Sequence, residues 1–298
     1  MLRSIASGRV FTIVTPSFNQ LDWLELCIAS VADQQNVQMV EHIICDAGSV
    51  GIKDFQNRMM TRHPASSSYS LRFEVGPDNG MYDAINKGLR MGRGDICSYL
   101  NCDEQLLPGA LGAVDEYFLR HKGKEVVFGD TIMTNREGAA LCYWRPYVPS
   151  LNHLAGATLN TLTCSTFFRR SVVDRGHLFD PQWKAVGDLI WVRGLLKARR
   201  PMGCLQKPLA AFTWLESNLG TSSTAADEFA RSRQNADWLS GNFRRAVHAV
   251  RKLISGAYHH RQVAYEIFTL ANPHGRSIHR HLGIGWTWPG AKSFSQKA

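Results

Sequence analysis

The sequence predicts an α/β fold: a mainly parallel sheet flanked by helices, followed by a basic helical region. Three observations predict it. Short apolar runs rich in β-branched residues alternate with segments of helical periodicity through residues 10–130. Four consecutive strand-like runs each end in a segment carrying Asp, Asn or Gly, and open α/β sheets bind ligands at that carboxyl edge. The net charge of +9 is uneven: residues 221–298 hold 11 Lys/Arg against 4 Asp/Glu, whereas residues 1–220 hold 23 against 21.

Taken in order, Val10–Val14 is the first buried strand, closed by Thr15, Pro16 and Ser17. Leu21, Leu24, Ile28 and Val31 follow at helical spacing. His42–Cys45 is the second strand, ending at Asp46-Ala47-Gly48, and residues 52–62 read as a helix. Leu71–Val75 is the third, ending at Gly76-Pro77-Asp78-Asn79-Gly80, after which Met81, Ile85 and Leu89 mark a helix face. Ile96–Leu100 is the fourth, ending at Asn101-Cys102-Asp103-Glu104. Pro108 opens the next helix, at the first position, where its missing N–H costs nothing. Glu125–Phe128 is the fifth strand, ending at Gly129-Asp130. Residues 131–186 carry only short strand-like pieces such as Cys164–Phe168; Leu189–Leu196 is a helix starting just after Asp188, and from 224 onward the pattern reads as helical.

Composition narrows the class. With 298 residues, 44% hydrophobic and 20% charged, the chain is globular, which excludes wholesale disorder and a collagen-like fibre. No apolar run approaches the ~18 residues that span a bilayer. Val10–Val14 is too short for a signal-peptide core, so a cytoplasmic protein is expected. The seven cysteines are odd in number and show no C-x-x-C spacing, so they read as reduced, buried small hydrophobes. There is no phosphate-binding G-x-x-x-x-G-K-[ST] loop, no G-x-S-x-G elbow and no H-E-x-x-H helix.

The strand ends carry the chemistry. On an extended backbone Asn101 and Asp103 point to one face, with Cys102 turned into the core. Such a pair suits Mg²⁺ or Mn²⁺ clamped to a diphosphate, because a hard cation keeps waters and phosphate oxygens and needs only one or two protein carboxylates. It equally suits a polar turn ahead of the helix at Pro108. Asp46 and Asp78 follow apolar strands, where a carboxylate accepts bonds from a base N–H or ribose hydroxyls, and Phe18 offers a flat surface to a base.

The C-terminal region adds a second theme. On a helical wheel over residues 243–258, Phe243, Val247, Val250, Ile254 and Tyr258 fall on one side and Arg244, Arg245, His248, Arg251 and Lys252 on the other. This pattern fits docking on an anionic membrane surface, or packing on the body of the protein. Trp286 and Trp288 are compatible with either role, and His259, His260, His274, His279 and His281 are spaced too irregularly for a metal. No nucleic-acid partner is expected, since no stacking platform or nucleic-acid motif accompanies the charge.

Over roughly residues 8–215 the chain resembles the inverting family 2 glycosyltransferases of the GT-A (Rossmann-like) fold, of the polysaccharide-assembling type. Thr15-Pro16-Ser17-Phe18-Asn19 is similar to the family's first-strand signature at the nucleotide base, and His42–Ser49 to the segment whose Asp, here Asp46, meets the base. Residues 78–88 resemble the donor-binding run D-x-G-x-Y-D-A-x-N-x-G, and Asp95–Asp103 the strand leading to the D-x-D metal motif. Thr166–Arg170 and Gly187-Asp188 resemble the acceptor half. Two positions depart from the pattern: Asn101 replaces the first carboxylate of the metal motif, which weakens it and leaves room for help from Glu104, and Gly187 precedes the Asp of the base motif.

The resemblance implies a division into a GT-A domain over 1–220 (nucleotide-sugar half 8–130, acceptor half 131–220) and a basic helical C-terminal region over 221–298. It implies transfer, with inversion, of one hexosyl or N-acetylhexosaminyl group from a nucleotide-diphosphate sugar, UDP favoured, to a glycan or lipid-linked acceptor of cell-surface polysaccharide. The implied donor-binding residues are Pro16, Phe18, Asn19, Asp46, Asp78, Gly80, Asn86, Lys87 and Asn101, with Asp103 holding a divalent cation and Asp188 as the base. Read without the family, Asp188 is equally a helix N-cap. The Asn101 and Gly187 departures leave a second function open, a non-catalytic GT-A scaffold that binds a nucleotide sugar or a partner enzyme. The expected location is cytoplasmic, at the inner face of the membrane if residues 243–258 dock there.

Overall fold

The computed structural model describes residues 9–154, 159–215, 223–232 and 261–284, together with 250, 253 and 254. The first half alternates as the periodicity requires: β1 (Val10–Ser17), α1 (Leu21–Ala32), β2 (Met39–Asp46), α2 (Ile52–Arg62), β3 (Tyr69–Val75), α3 (Met81–Met91) and β4 (Ile96–Tyr99). Then come β5 (Glu104–Leu106), α4 (Ala110–Arg120), β6 (Val126–Thr134), β7 (Ala140–Trp144), α5 (Leu151–Leu154), a 3₁₀ turn at Thr163–Ser165 and β8 (Thr166–Arg169). The series closes with α6 (Arg170–Asp174), α7 (Gly187–Lys197), β9 (Met202–Thr213), α8 (Ser223–Ser232), β10 (Arg261–Thr269) and β11 (Asn272–Ile284).

Nine strands form one sheet in the order β3-β2-β1-β4-β8-β6-β9-β5, with β7 paired to β6. The β3-β2-β1-β4 half is parallel throughout. In the other half only β6 and β9 run parallel; the pairs β4–β8, β6–β8, β5–β9 and β6–β7 are antiparallel. The parallel character expected of the whole sheet therefore belongs to its first half.

Both faces of the sheet are covered, and this is why β1 is buried from Phe11 to Ser17 rather than alternating. Phe11 and Ile13 join Leu24, Ile28, Phe55, Met59, Leu111 and Phe118 on the side of α1, α2 and α4. Val14 faces the opposite way, toward Ile85 and Leu89 of α3 and Leu189, Trp191 and Leu195 of α7. Helix α3 lies so close to the sheet that a Cβ on Gly88 would stand 2.4 Å from Val14 Cγ1. The cysteines at 27, 45, 97, 102, 142 and 164 are buried, and all seven are free thiols.

The structure revises several expectations. The fifth strand continues past Gly129-Asp130 to Thr134, with irregular pairing to β9 at those two residues. Asp130 is thus inside the sheet, where it accepts bonds from Arg145 Nη2 at 2.7 Å and Tyr143 Oη at 2.5 Å. Pro108 precedes its helix by two positions, because Gly109 at φ 71° turns the chain before Ala110.

The helical reading from residue 224 onward holds for α8 but not for 261–284, which form an antiparallel hairpin. Val263, Tyr265 and Ile267 alternate at the period of a strand and bury against Leu107, Ile132, Tyr143 and Ala211. Most of the 243–258 segment, with His259, His260, Trp286 and Trp288, lies outside the described residues. Among the described residues no helix is long and apolar enough to cross a membrane.

Candidate active site

The chain runs outward from β1 to β2 and β3, then returns to β4 on the other side of β1. Such a reversal opens a crevice beyond the carboxyl ends of the strands. A cleft of about 870 Å³ lies there. Its first wall comes from strand ends: Pro16, Ser17, Phe18 and Gln20 after β1, Ala47 after β2, Pro77, Asp78 and Gly80 after β3, and Asn101, Cys102 and Asp103 after β4. Its second wall is Leu159 to Thr163, the start of α7 with Ala185, Asp188 and Leu189, the end of β9 with Phe212 and Trp214, and Phe229 of α8.

The cleft thus brings together Pro16, Phe18, Asp78, Gly80, Asn101, Asp103 and Asp188 from strands and helices far apart in sequence. Phe18 is 58% exposed, an open aromatic face at the mouth. Asp78 Oδ1 accepts the Gly80 N–H at 2.8 Å, and Gly80 sits at φ 106°, a backbone angle that favours glycine. These bonds fold the loop so that the N-terminus of α3 opens toward the cleft, a favourable place for an anion.

The remaining expected donor residues make bonds within the protein. Asp46 is 1% exposed. Its oxygens accept the Gly48 N–H at 2.9 Å, the Ser49 N–H at 2.6 Å and the Ser49 hydroxyl at 2.7 Å, so it organises the loop after β2. Asn19, at φ 54°, latches onto that loop: its N–H donates to Ser49 Oγ at 2.7 Å and its Oδ1 accepts from Val50 at 3.2 Å. Asn86 is buried and bonds both backbone groups of Phe179, donating at 2.7 Å and accepting at 3.0 Å. Lys87 donates to the Pro77 carbonyl at 2.8 Å and pairs with Asp83 at 3.5 Å. None of the four is among the residues that line the cleft; Asp46, Asn19 and Lys87 hold loops beside Ala47 and Pro77, which do, and Asn86 holds the backbone at Phe179.

The Asn101–Asp103 segment is a turn rather than extended strand, since β4 ends at Tyr99. Glu104, 1% exposed, accepts the Asn101 N–H at 2.8 Å. Burial raises the Asp103 carboxyl above its ordinary range. Burial first, and the charge of Asp103 next, push Glu104 up as well.

Asn101 Oδ1 and Glu104 Oε1 are buried oxygens with no hydrogen-bond partner among the described residues. Unsatisfied acceptors beside a desolvated carboxylate are the donor set a hard cation takes up. The residues fit such a cation, with Asp103 and Asn101 in the cleft and Glu104 behind them. Among the described residues no three His, Cys, Asp or Glu converge to hold a metal by themselves.

Asp188 occupies the first turn of α7, and its Oδ1 accepts the Leu189 N–H at 2.7 Å. Burial pushes its carboxyl up to about 6. Residue 186, not 188, is the N-cap, and it supplies no side-chain bond. Asp188 is therefore an acid inside the helix, facing the cleft.

The glycine before it has a steric cause. A Cβ on Gly187 would stand 2.5 Å from the Tyr82 ring, whose hydroxyl accepts the Asp188 N–H at 3.2 Å. Tyr82 itself stacks on Phe179 with ring centroids 5.6 Å apart. The donor-side helix α3 and the Asp188 turn are thus packed as one unit.

Two residues that support the second wall from outside the cleft escaped sequence reasoning. Lys184 donates to the carbonyls of Pro181, at 2.9 Å, and Asn79, which ties the α7 approach to the start of α3. Glu228 reaches the same approach from α8. Its only signal in sequence was to be one of four acidic residues in a basic region.

Fold and cleft together define an α/β protein of the GT-A type. Glycosyl transferase family 2 matches residues 12–175, more than half of the chain, and the chain belongs to that family. It is 31% identical over 97 residues to an uncharacterised glycosyltransferase of Mycobacterium tuberculosis, covering 33% of this chain and 35% of that one. It is 27% identical over 125 residues to a PGL/p-HBAD biosynthesis glycosyltransferase of Mycobacterium bovis, covering 42% and 47%. The matches thus span less than half the length of these curated relatives.

Among solved structures, TarS of S. aureus in complex with UDP-GlcNAc superposes with a TM-score of 0.56 at 15% identity, covering 78% of this chain and 69% of that one. The mannosyltransferase PcManGT of Pyrobaculum calidifontis, in complex with GDP-Man and Mn²⁺, gives 0.57 at 16%, covering 84% and 71%. At these identities the likeness is one of fold.

Proposed function

We propose that this protein is an inverting glycosyltransferase that moves one sugar from a nucleotide-diphosphate sugar to a hydroxyl of a carrier-bound, lipid-linked glycan acceptor. The observation that carries the reading is the convergence of Asp103, Asn101 and Asp188 in one cleft beside the N-terminus of α3. Family membership supports it, as do the nucleotide sugars bound by TarS and PcManGT. A UDP donor is favoured, with Phe18 against the base.

In this reading Asp103 and Asn101, with Glu104 behind them, hold a divalent cation, Mg²⁺ or Mn²⁺. Bound there, it supplies charge that offsets the departing diphosphate. Asp78 and Gly80 shape the loop that receives the phosphates. Asp188 takes the proton of the acceptor hydroxyl as that oxygen attacks the anomeric carbon, and the nucleoside diphosphate leaves from the opposite face. One base and no enzyme nucleophile give inversion.

The apolar second wall, with Leu159, Leu162, Leu189, Phe212, Trp214 and Phe229, receives the acceptor. A cytoplasmic protein resting on the inner membrane face through residues 243–258 suits such a carrier; Val250 and Ile254 of that face are exposed.

The test is nucleoside diphosphate release from UDP-, GDP- and dTDP-sugars by the wild-type protein, Asp103→Ala and Asp188→Asn. The reading expects turnover with one nucleotide class and its loss in both variants, while Asp188→Asn still binds donor. Full turnover in both variants contradicts the assigned roles. Donor binding without turnover over a broad acceptor panel favours the scaffold instead.

A further inference from the structure

Glu228 lies on α8, in the basic C-terminal region, yet it is 1% exposed. A carboxylate that deeply placed requires partners. Its Oε1 accepts the Lys184 N–H at 2.7 Å, and its Oε2 accepts the N–H groups of Ala185 and Val186 at 2.9 and 3.1 Å. These three amides immediately precede α7, whose first two residues are Gly187 and Asp188.

The first amides of a helix and of its approach have no partner within the helix. Helix α7 has no side-chain cap of its own. A carboxylate 44 residues further along the chain from Lys184 supplies it, with charge-assisted bonds and a negative charge at the positive end of the helix.

The surroundings fix Glu228 in turn. Arg231 pairs with it at 3.6 Å and lies over the Trp183 ring at 5.1 Å. Phe229, the next residue, lines the cleft. On the inner side of the same turn, Tyr82 holds the Asp188 N–H. The Asp188 turn is thus clamped between α3 and α8.

We propose that Glu228 is a positioning residue for sugar transfer: from outside the sheet domain it fixes the backbone that aims Asp188 at the acceptor hydroxyl. The inference rests on the reading of Asp188 as the base.

Two measurements on the full chain test it, with Glu228→Gln as the variant. Gln keeps the size, removes the charge and turns an N–H₂ group toward amides that are themselves donors. The first is hydrogen exchange of the free protein over residues 183–190, expected to become faster while α1 and α3 keep wild-type protection. The second is nucleoside diphosphate release per UDP-binding site, sites being counted by UDP titration with Mn²⁺. That rate is expected to fall by about 10- to 100-fold, the scale of an ångström-sized misplacement, with UDP affinity unchanged and part of the rate regained in Glu228→Asp.

A merely structural role would lower the number of UDP-binding sites and leave the rate per site intact. Unchanged exchange over 183–190 overturns the proposal, as does faster exchange with a wild-type rate per site. If Glu228→Gln does not fold, Glu228→Asp carries the same two readouts with smaller changes. Asp188→Asn, run in parallel, separates the two claims. Full turnover in that variant refutes the base itself; an inactive Asp188→Asn beside a fully active Glu228→Gln refutes only the positioning role.

Discussion

At the scale of single residues, Asp188 carries the most chemistry. Burial pushes its carboxyl up to about 6 from an ordinary 3.8, and a base must be ionised to act. We expect kcat/KM for nucleotide release to fall on the acid side with a midpoint near pH 6, by about tenfold per pH unit below it. A pH–rate profile checks this, and an acid limb near pH 4 would contradict the buried setting. The same shift bears on stability. A carboxyl whose folded pKa lies above its unfolded value favours the folded state when protonated. That contribution is complete below pH 3.8 and is lost as pH rises through about 6. The sequence placed Phe18, Asp78, Asn101 and Asp103 after strands and Asp188 at the start of a helix, and all five line the cleft. What the sequence did not show is that Asp46, Asn19, Asn86 and Lys87 bond nearby backbone and side chains, because a motif names residues without saying which of them also hold a loop. Asp46 has the same chemistry as Asp78 but spends its oxygens on Gly48 and Ser49.

At the scale of elements, the contact between α3 and α7 decides the geometry of the site. Gly187 is where they meet. Gly187→Ala would drive a methyl into the Tyr82 ring, which stands 2.5 Å from the place of its Cβ. We expect a stability loss of about 1–3 kcal/mol, the usual cost of overpacking, and loss of turnover beyond the loss of fold. The control lies in the same helix: a Cβ on Gly194 meets nothing within 4 Å. Gly194→Ala should raise stability by about 0.5–1 kcal/mol through helix propensity alone. Chemical denaturation of the two variants checks both signs. The β1–α1–β2–α2–β3–α3–β4 alternation was legible because short apolar β-branched runs alternate with segments of helical period. The hairpin of β10 and β11 was missed because Val263, Tyr265 and Ile267 have a period of two inside a region whose charge and earlier helices suggested another reading. The antiparallel pairing of β8 with β4 and β6 was illegible for a different reason. A four-residue strand has no periodicity to read, and its partners are chosen by the fold.

At the scale of the whole molecule, the described elements beyond residue 221 are fastened to the body by specific hydrogen bonds and ion pairs, among them Arg276 with Asp33 at 2.6 Å. Buried Gln105 donates to the Phe268 carbonyl at 2.8 Å and accepts its N–H at 2.9 Å, the pattern of a strand pair made by one amide. Gln105→Ala would leave both backbone groups unpaired, and we expect a loss of about 1–3 kcal/mol, visible in a denaturation curve with Asp188 chemistry untouched. The distribution of charge in the sequence did not show that helix α8 would place Phe229 in the cleft and Glu228 at the approach to Asp188. Those contacts join residues too far apart in sequence for any local pattern to register. The central claim remains the cleft: a nucleotide sugar bound with a divalent cation on Asp103. A thermal-shift screen of UDP-, GDP- and dTDP-sugars, each with and without Mn²⁺, on wild-type protein and Asp103→Ala, tests it most directly. At 100 times Kd a ligand of the native state adds about 2.7 kcal/mol, which for a domain of this size raises Tm by about 5–10 °C. The account predicts such a rise with one nucleotide class, dependent on Mn²⁺ and absent in Asp103→Ala. No rise with any of them on folded protein, or a rise indifferent to both Mn²⁺ and Asp103, would contradict it.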